Sequence, residues 1–510
     1  MIRPVAVLAL ALTLSGCSSD PASSPNGTPT PTPPAGANDG IVPATPAQLP
    51  ALSSPFRYGM NVGHPNADWG DDEMGLLAAQ AGADSERIKL PETHLTTWGW
   101  DIEVGDIKSY AANGMKDHVG FLCTPTAAHS TMPSGKADWE LEYWAPRNLH
   151  QPIFLADGSV NPDNFWAAYV EKTVKTYSPW VRIWEVWNEP DWVSDWQVVE
   201  GWKTNPPKAS ELPRFNGSIF DYVRMLRVTW MVVHKVDPTA RVATGGIGYP
   251  SFLNAILRYT DEPKQGAVDE AHPKTGGAWF DVLDFHYYPI FQKGNSDASV
   301  DDFMKSKASL AAELAAANVT GKEWNVTETG APRQSVDGAP GSDAYARNYL
   351  VKALLTAQAQ GILGIDWFIL SDGKPADVAK DSFASMGLWF DVSTLKVTTD
   401  ARMTPSGTAM LGMTKLLRGA RVDLTATTAL GLATNVGGIV FVTKEQKHVW
   451  VLWARGTDEQ ATGAYAIASA KPLTMYLWDH AVTSAKATIA SNAGKVNAPL
   501  ESAPRYFVED

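Results

Sequence analysis

Val181-Arg-Ile-Trp-Glu-Val-Trp-Asn-Glu-Pro-Asp-Trp192 is the stretch of this sequence that is most informative about its fold. Its run of β-branched and aromatic residues predicts a strand that is buried on both faces. Pro190 has no backbone N–H and cannot continue a central strand, so the strand ends there. Asn188 and Glu189 are therefore expected at the carboxyl end of a core strand, which is where parallel α/β barrels place their active sites.

The aromatic residues of this stretch predict the environment of Glu189. A carboxyl group among Trp184, Trp187 and Trp192 is poorly solvated, which would raise its pKa and let it act as an acid near neutral pH. Alternation along the strand predicts that Glu185, Trp187 and Glu189 face the same side. We interpret Glu185 as a structural acid that is paired inside the barrel.

The chain around this strand alternates between predicted strands and amphipathic helices from about residue 56 to residue 418. Eight strands and eight helices predict an α/β fold, a (β/α)8 TIM barrel. A doubly wound open sheet is the alternative, but the Gly-rich turn that it normally carries after strand one is not in the sequence. The longest loops, residues 124–160 and 190–217, follow strands three and four and are expected to shape a cleft.

Composition changes mark the predicted domains. Residues 1–16 are predicted as a lipoprotein signal peptide, 17–50 as a Pro/Ser/Thr-rich tether, 51–418 as the barrel and 419–510 as a small antiparallel β-sandwich. The β-sandwich contains no cluster of acids or histidines, so we expect an accessory packing role. A carbohydrate-binding module is the alternative for this domain, because it contains three tryptophans.

The amino terminus indicates export. An apolar run from Val5 to Leu14 is too short for a stable membrane-spanning helix. Leu14-Ser-Gly-Cys17 resembles a bacterial lipobox, and this resemblance implies cleavage before Cys17, a lipid on its thiol and a place in the cell envelope, at the outer membrane or cell surface. An ordinary signal peptide with a chance cysteine is the alternative.

The overall composition excludes several classes of protein. With 510 residues and 44% hydrophobic residues, the chain is long enough for a large core. The formal net charge of −13 argues against a nucleic-acid partner, and 20 tryptophans favour a carbohydrate ligand. Two cysteines, Cys17 and Cys123, do not suffice for a disulfide framework, and no His-x-His or clustered acid set predicts a metal site.

A second carboxylate is expected at another strand end. Glu323-Trp-Asn-Val-Thr-Glu-Thr-Gly330 predicts a short strand that ends near Glu328. Glutamates at the ends of strands four and seven can face each other across a barrel mouth, and retaining glycosidases need two carboxyl groups about 5–5.5 Å apart. On this hypothesis Glu189 is the acid/base and Glu328 is the nucleophile.

Four strand ends resemble the signatures of the clan A glycoside hydrolases. They are Asn188-Glu189-Pro190, His286-Tyr-Tyr288, Thr327-Glu328-Thr329-Gly330 and Trp367. The resemblance covers about residues 56–418, and the trailing β-domain resembles the one appended in family 39-like and some family 5-like members. Many family 5 members have a histidine soon after strand three, whereas this chain has Cys123-Thr-Pro-Thr126. A family 39-like relative is therefore favoured over a family 5-like one.

The resemblance also implies substrate-binding roles. Asn188 would bind the sugar 2-hydroxyl, Tyr288 would donate to Glu328, and Arg87 would place a positive charge beside it. His286 would bind a hydroxyl or tune Glu189, and Trp367 would be an apolar platform under the reacting ring.

Further candidates for sugar subsites are His64, Trp98, Trp100, Trp192 and Trp389. For His286, Tyr288, Arg87 and Trp367, an ordinary packing or ion-pair role in the core stays open as the alternative.

These observations predict a retaining glycoside hydrolase that cleaves β-glycosidic bonds in an oligo- or polysaccharide by double displacement, without a metal or organic cofactor. The expected partners are a carbohydrate, favouring an extracellular polysaccharide, and a membrane through a lipid at Cys17. A non-catalytic carbohydrate-binding lipoprotein on a glycosidase-like barrel is the main alternative, and a scaffold lipoprotein is another.

Overall fold

The computed structural model describes residues 49–290, 294–336, 338–374, 379 and 381–509. It contains a parallel eight-stranded barrel followed by antiparallel sheets, which confirms the predicted fold class. The predicted signal peptide at 1–16, Cys17 and nearly all of the tether at 17–50 lie outside the described residues.

The barrel strands follow one another in order around the sheet. They are β1 (Arg57–Asn61), β2 (Arg87–Pro91), β3 (His118–Cys123), β4 (Val181–Val186), β5 (Arg241–Ala243), β6 (Val282–Tyr287), β7 (Glu323–Thr329) and β8 (Ile362–Phe368). Each strand from β2 to β8 pairs in parallel with the next, and β8 pairs in parallel with β1. All carboxyl ends therefore open at one mouth.

Helices cover the outside of the barrel. They are α1 (Asp71–Gln80), α2 (Glu92–Trp98), α3 (Val104–Ala112), α4 (Phe165–Tyr177), α5 (Val198–Gly201), α6 (Ile219–Val236), α7 (Pro250–Arg258), α8 (Ser296–Ala316), α9 (Asp343–Ala359) and α10 (Pro405–Leu417). The sequence predicted neither α2 nor α5. Within the described ranges, no helix combines the length and apolar character that crossing a membrane requires.

One helix start differs from the prediction. The apolar periodicity of residues 163–177 predicts a helix that Asp163 caps, yet the helix begins at Phe165 and the side chain of Asn164 accepts a hydrogen bond from the Ala167 N–H. Asn164 also donates to the carbonyls of Leu149 and Gln151. Asn164 therefore caps the helix and also stabilises the end of the long loop that precedes it.

The loops after β3 and β4 are joined to each other. The Ala145 N–H donates to the carbonyl of Phe215 at 2.8 Å. The amide of Asn216 donates to the carbonyl of Tyr143 at 2.9 Å. These two long loops therefore form a single wall beside the carboxyl end of β4. The prediction that they are the two longest loops was wrong, because the segment 369–404 between β8 and α10 is longer than the one between β4 and α6.

The C-terminal region is antiparallel. Its elements are β9 (Arg421–Val422), α11 (Leu424–Ala429), β10 (Val436–Val442), β11 (His448–Ala454), β12 (Thr462–Ala468), β13 (Leu473–Tyr476), α12 (His480–Thr483), β14 (Lys486–Ile489), β15 (Ser491–Asn492), β16 (Lys495–Glu501) and β17 (Arg505–Glu509). A six-stranded sheet, β14-β13-β17-β11-β10-β9, accompanies a three-stranded one, β12-β16-β15. Ile439, Phe441 and Trp453 of this region belong to the same apolar cluster as the barrel's outer layer, so part of the core crosses the domain boundary. Leu452, Ile467 and Phe507 belong to a second apolar cluster inside the C-terminal region.

Candidate active site

The backbone at the end of β4 aims Glu189 into the barrel mouth. Trp187 and Glu189 have φ values of +72° and +44°, a left-handed conformation that non-glycine residues rarely adopt. The Glu189 N–H donates to the carbonyl of Gly245 at 2.7 Å, which ties the turn to the end of β5. Backbone strain of this kind clusters at functional sites.

The same turn overturns the prediction that Glu185, Trp187 and Glu189 share a face. Regular alternation stops at Val186, where β4 ends. Trp187 turns outward, with its ring beside those of Trp166 and Phe215. Glu185 stays inside the barrel, paired with Arg87 as expected.

Glu189 and Glu328 meet across the mouth. Glu328 is the penultimate residue of β7, where it pairs with His286 of β6. One carboxylate oxygen of Glu189, one of Glu328 and a ring nitrogen of His286 all lie within 4.8 Å of one another. Two acids that are 139 positions apart in the sequence are therefore within reach of one sugar ring.

Arg87 holds the floor of the site together. Its Nε and Nη2 donate to the two oxygens of Glu185 at 2.6 and 2.8 Å, and Nη2 also donates to the Asn188 Oδ1 at 2.7 Å. Its Nη1 donates to the Glu328 Oε1 at 2.5 Å. One buried guanidinium thus orients the Glu328 carboxylate and the Asn188 amide at once.

His286 joins the two carboxylates to the barrel interior. Its Nδ1 lies 3.0 Å from the Glu189 Oε1 and 3.7 Å from the Glu328 Oε2. Its Nε2 lies 3.0 Å from the Thr327 Oγ1, and that hydroxyl lies 2.9 Å from a carboxylate oxygen of Asp284. Because the Thr327 hydroxyl can donate its hydrogen bond to Asp284, its oxygen can accept a hydrogen bond from the His286 Nε2–H.

Tyr288 completes the setting of Glu328. Its hydroxyl donates to the Glu328 Oε2 at 2.7 Å, so each oxygen of Glu328 has its own donor. The ring of Tyr288 makes edge contacts with Phe368 and Phe383. A carboxylate held by two donors is kept in one orientation, as a nucleophile requires.

The charges around Glu189 contradict the predicted direction of its pKa. Burial raises the pKa of Glu189, but the hydrogen bond and charge of His286, together with Arg214 and Arg87, outweigh burial and lower it to about 2. The prediction was wrong because it considered only the aromatic residues of the strand, whereas the cations that lower the pKa of Glu189 come from other parts of the chain.

His286 has the opposite shift. Burial lowers the pKa of His286, but the charge of Glu328 and the hydrogen bond and charge of Glu189 raise it to about 9. Near neutral pH the Glu189–His286 pair therefore holds one proton, mainly on the imidazole.

A second layer of acids lies beneath this pair. Burial raises the pKa of Glu185 to about 7 against the lowering effect of Arg87, and burial also raises the pKa of Asp284. The Thr327 hydroxyl lies between them, 3.1 Å from Glu185 and 2.9 Å from Asp284. Both acids are buried beneath the Glu189–His286 pair, where Glu185 accepts from Arg87 and Asp284 accepts from Asn325, and they do not reach the mouth.

Two predicted aromatic residues are not available to a ligand. Trp367 is only 1% exposed and donates from Nε1 to the carbonyl of Met386 at 2.9 Å, so it is not the expected platform. Asp366 of β8 lies beside Arg57 inside the barrel, so the next residue, Trp367, faces the helices and Phe368 is half-buried beside Tyr288. Trp389 is also buried and donates to the carbonyl of Leu77.

The remaining subsite candidates lie on loops, except Trp98, which is the last residue of α2. Trp192 is half-buried under the guanidinium of Arg214, with 4.6 Å between the Arg214 Cζ and the ring centroid. His64 is exposed in the loop after β1, and Trp98 and Trp100 follow β2. Lys172 covers the ring of Trp100, which makes that ring less available to a sugar.

Arg214 and two glycines of the site were not predicted from the sequence. Arg214 donates to the Glu189 Oε2 from the loop after β4, and no motif singles out one arginine in such a loop. At Gly246, with φ +60°, an added Cβ would meet the His286 Nε2 at 2.1 Å, and at Gly245 it would meet the Val186 carbonyl at 2.3 Å. The Gly245-Gly246 pair just after β5 is the sequence feature that could have predicted this close packing.

The trio Glu189, His286 and Glu328 has a spacing that could suit a metal ion. However, Arg87 and Arg214 each donate to one of the two carboxylates. A dication would have to compete with both guanidinium groups for the same oxygens. We therefore assign these side chains no metal-binding role.

Comparison with known proteins gives the fold. No protein-family model and no curated protein matches the sequence. Among solved structures, a family 39 glycoside hydrolase from Bacteroides cellulosilyticus WH2 is similar with a TM-score of 0.57 and 16% identity over 91% of this chain and 83% of that chain.

A family 30 subfamily 8 xylanase from Clostridium acetobutylicum has a TM-score of 0.52 and 16% identity over 91% of this chain and 97% of that one. A glucosidase from Croceicoccus marinus has a TM-score of 0.51 and 12% identity over 92% and 97%. The chain therefore has the barrel fold of these glycoside hydrolases.

Proposed function

We propose that this protein is a retaining glycoside hydrolase that cleaves β-linked oligo- or polysaccharides. The observation that carries the proposal is the approach of one oxygen of Glu189 to one of Glu328 within 4.8 Å. Retaining enzymes place their carboxyl groups about 5–5.5 Å apart, whereas inverting enzymes leave about 6.5–9.5 Å for a water molecule. The short separation supports double displacement.

In the first step, Glu328 attacks the anomeric carbon. A bond forms between that carbon and a Glu328 oxygen, and the bond to the leaving oxygen breaks with its electron pair on that oxygen. Tyr288 and Arg87 each donate to Glu328 and hold it in line. Asn188 lies beside them on Arg87, where its amide N–H groups can bind the sugar 2-hydroxyl.

The proton for the leaving oxygen comes from the Glu189–His286 pair. It moves from the His286 Nδ1 through the Glu189 Oε1, to which it is hydrogen-bonded at 3.0 Å. His286 is left neutral, with its Nε2–H donated to Thr327. In the second step Glu189 takes a proton from water, which attacks the anomeric carbon and releases Glu328.

Replacement of each glutamate tests these roles. Glu328→Ala should abolish hydrolysis of aryl glycosides, and added azide should give the glycosyl azide of inverted, α configuration. Glu189→Ala should spare substrates with good leaving groups and slow those with poor ones by about 10²–10⁴-fold. With Glu189→Ala, azide should give the β-glycosyl azide.

Glu171→Ala is the matched control, because Glu171 makes only an exposed pair with Lys175 on α4. It should leave every rate unchanged. Equal losses on good and poor leaving groups in Glu189→Ala would contradict the acid/base role. Binding of glycans without any hydrolysis by the unmodified protein would instead support a carbohydrate-binding lipoprotein.

We also propose that the protein is exported and anchored through Cys17, which would place the site among extracellular polysaccharides. The support is the lipobox-like Leu14-Ser-Gly-Cys17 followed by a Pro-rich tether. Metabolic labelling with a radioactive fatty acid should mark the protein, and Cys17→Ala should lose the label. Labelling that persists in Cys17→Ala would contradict the anchor.

A further inference from the structure

Arg214 is a positively charged residue of the site that uses only part of its hydrogen-bonding capacity. Among the residues that the structure describes, the carboxylate of Glu189 is the only hydrogen-bond acceptor of its guanidinium, through Nη1 alone. The side chain is 25% exposed and lies on the ring of Trp192. The free edge of the guanidinium, Nε and Nη2, therefore remains able to donate to a ligand at the mouth.

Arg87 shows the contrast. Its guanidinium is buried and donates to Glu185, Asn188 and Glu328, so each of its three nitrogens already has an acceptor. Arg214 makes one contact at the edge of solvent. A planar guanidinium with a free edge is well suited to bind a carboxylate or another oxyanion through two parallel hydrogen bonds.

The backbone of Arg214 is fixed in place although its side chain is not saturated. The Trp187 Nε1–H donates to the carbonyl of Arg214 at 2.7 Å. The neighbouring residues Phe215 and Asn216 are hydrogen-bonded to the loop after β3. A fixed backbone with a partly free side chain is typical of a binding residue, since little order is lost on binding.

Arg214 lies at the oxygen of Glu189 that His286 does not contact. The Glu189 Oε1 faces His286, and the Oε2 faces Arg214. The proton that moves from His286 to the Oε1, and from there to the leaving oxygen, makes Glu189 neutral while it is held, which weakens the ion pair at the Oε2. An anion on the substrate would then give the guanidinium of Arg214 a second partner.

We propose that Arg214 binds an anionic substituent on the sugar that leaves, so that the substrate is an acidic glycan. This inference rests on the proposed function and names its substrate class. A carboxylate in the leaving sugar would pair with the guanidinium and free Glu189 from it. A neutral leaving sugar would have to break the same ion pair with no anion in exchange.

Two aryl glycosides that differ in one charge test the proposal. A panel of 4-nitrophenyl β-glycosides first identifies the accepted sugar. The 4-carboxyphenyl and 4-(methoxycarbonyl)phenyl glycosides of that sugar are then compared. Although 4-hydroxybenzoate is the poorer leaving group, we expect the carboxylate substrate to have the higher kcat/KM, by about tenfold.

Arg214→Met should remove this preference, lowering kcat/KM for the carboxylate substrate more than for the ester. Arg214→Lys should keep part of it, because lysine retains the charge without the planar fork. Arg258→Met is the matched control, since Arg258 also lies on an aromatic ring, Tyr259, on the outer helix α7. It should preserve the preference.

The outcomes separate the two proposals. If the 4-nitrophenyl panel and both test substrates are all left uncleaved, the proposed function itself fails. If they are cleaved but the unmodified protein prefers the ester, or Arg214→Met keeps the original ratio, the acidic-substrate inference is overturned while the hydrolase stands. Folding of Arg214→Met is verified by a circular dichroism spectrum and an unfolding midpoint that match those of the unmodified protein.

Discussion

At the residue scale, the site works through one proton shared between Glu189 and His286. The pKa of His286 is raised to about 9 while that of Glu189 is lowered to about 2, so the pair keeps a single proton across the neutral range. Because the two groups lie 3.0 Å apart, their ionisations belong to the pair rather than to either side chain. In the proposed mechanism, His286 is therefore the store of the proton that Glu189 delivers.

The pH dependence of His286→Asn tests this sharing. In the unmodified protein, kcat/KM for a poor leaving group should fall as pH rises through about 9, where the pair loses its proton. Asparagine holds no proton, so in His286→Asn the only source is Glu189, and the alkaline limb should move to lower pH. Rates measured between about pH 4 and 10 with good and poor leaving groups give the comparison, and an unchanged limb would contradict the shared proton.

Individual residues differed in how well the sequence predicted them. The structure brings Glu189, Glu328, His286, Tyr288 and Arg87 together, because strand ends of a parallel barrel converge at one mouth and each lies in or beside a strand. Their catalytic and binding roles stay predictions.

Other residues were not predictable from strand patterns. Arg214 reaches Glu189 from a loop whose path the sequence does not specify. Trp367 and Phe368 are adjacent, and a shift of one residue in strand phase exchanges which of them faces the mouth.

At the scale of the elements, the end of β5 makes room for His286. Gly246 has φ +60°, and a Cβ there would lie 2.1 Å from the His286 Nε2. Gly245 lies equally close to the backbone of β4. The geometry of the candidate site between β4 and β6 thus depends on two glycines that follow β5 and carry no side chain.

Gly246→Ala should displace the imidazole and lower kcat/KM by about a hundredfold, as a shift of about 1 Å in a catalytic group does. The left-handed backbone should add a stability cost of about 1–2 kcal/mol. Gly248→Ala is the matched control, because nothing lies within 4 Å of a Cβ there and its φ is not positive. Equal activity of the two variants would show that the space at Gly246 is not needed for His286.

Element boundaries were predicted to within a few residues where local chemistry marks them. The apolar patterns of His118–Cys123 and His448–Ala454 predict two strands with these bounds, and β3 and β11 have the same bounds in the structure, since turns flank these strongly apolar strands. The helix α2 was missed, because its Glu92–Trp98 segment is short and has no apolar periodicity of its own. The strand β12 was missed because most of its side chains are exposed.

At the scale of the whole molecule, a buried ionic cluster joins the β-domain to the barrel. Asp297 of α8 accepts hydrogen bonds from Lys352 of α9 at 2.9 Å and from the Trp453 Nε1 of β11 at 3.0 Å. Glu459 of the β-domain accepts from the N–H of Ser296 at the start of α8. The two domains are thus expected to unfold together.

Asp297→Asn tests this coupling. The substitution leaves the buried Lys352 without its charge partner, which should cost about 3–5 kcal/mol of unfolding free energy. Asp301→Asn is the matched control on the same helix, because its pair with Arg455 also crosses the interface but is exposed, and such pairs contribute about 0–1 kcal/mol. Urea unfolding followed by tryptophan fluorescence and by activity gives both values, and two separate transitions would contradict a shared core.

The arrangement of the whole barrel leads to one claim, that Glu328 forms a covalent bond to the sugar while Glu189 supplies the proton. The most direct measurement is labelling with a 2-deoxy-2-fluoro β-glycoside of the accepted sugar that carries a 2,4-dinitrophenyl leaving group, followed by mass spectrometry of the digested protein. We predict one sugar per chain, attached to Glu328. A label on any other residue, or full turnover with no trapped sugar and a product of inverted configuration, would contradict the mechanism.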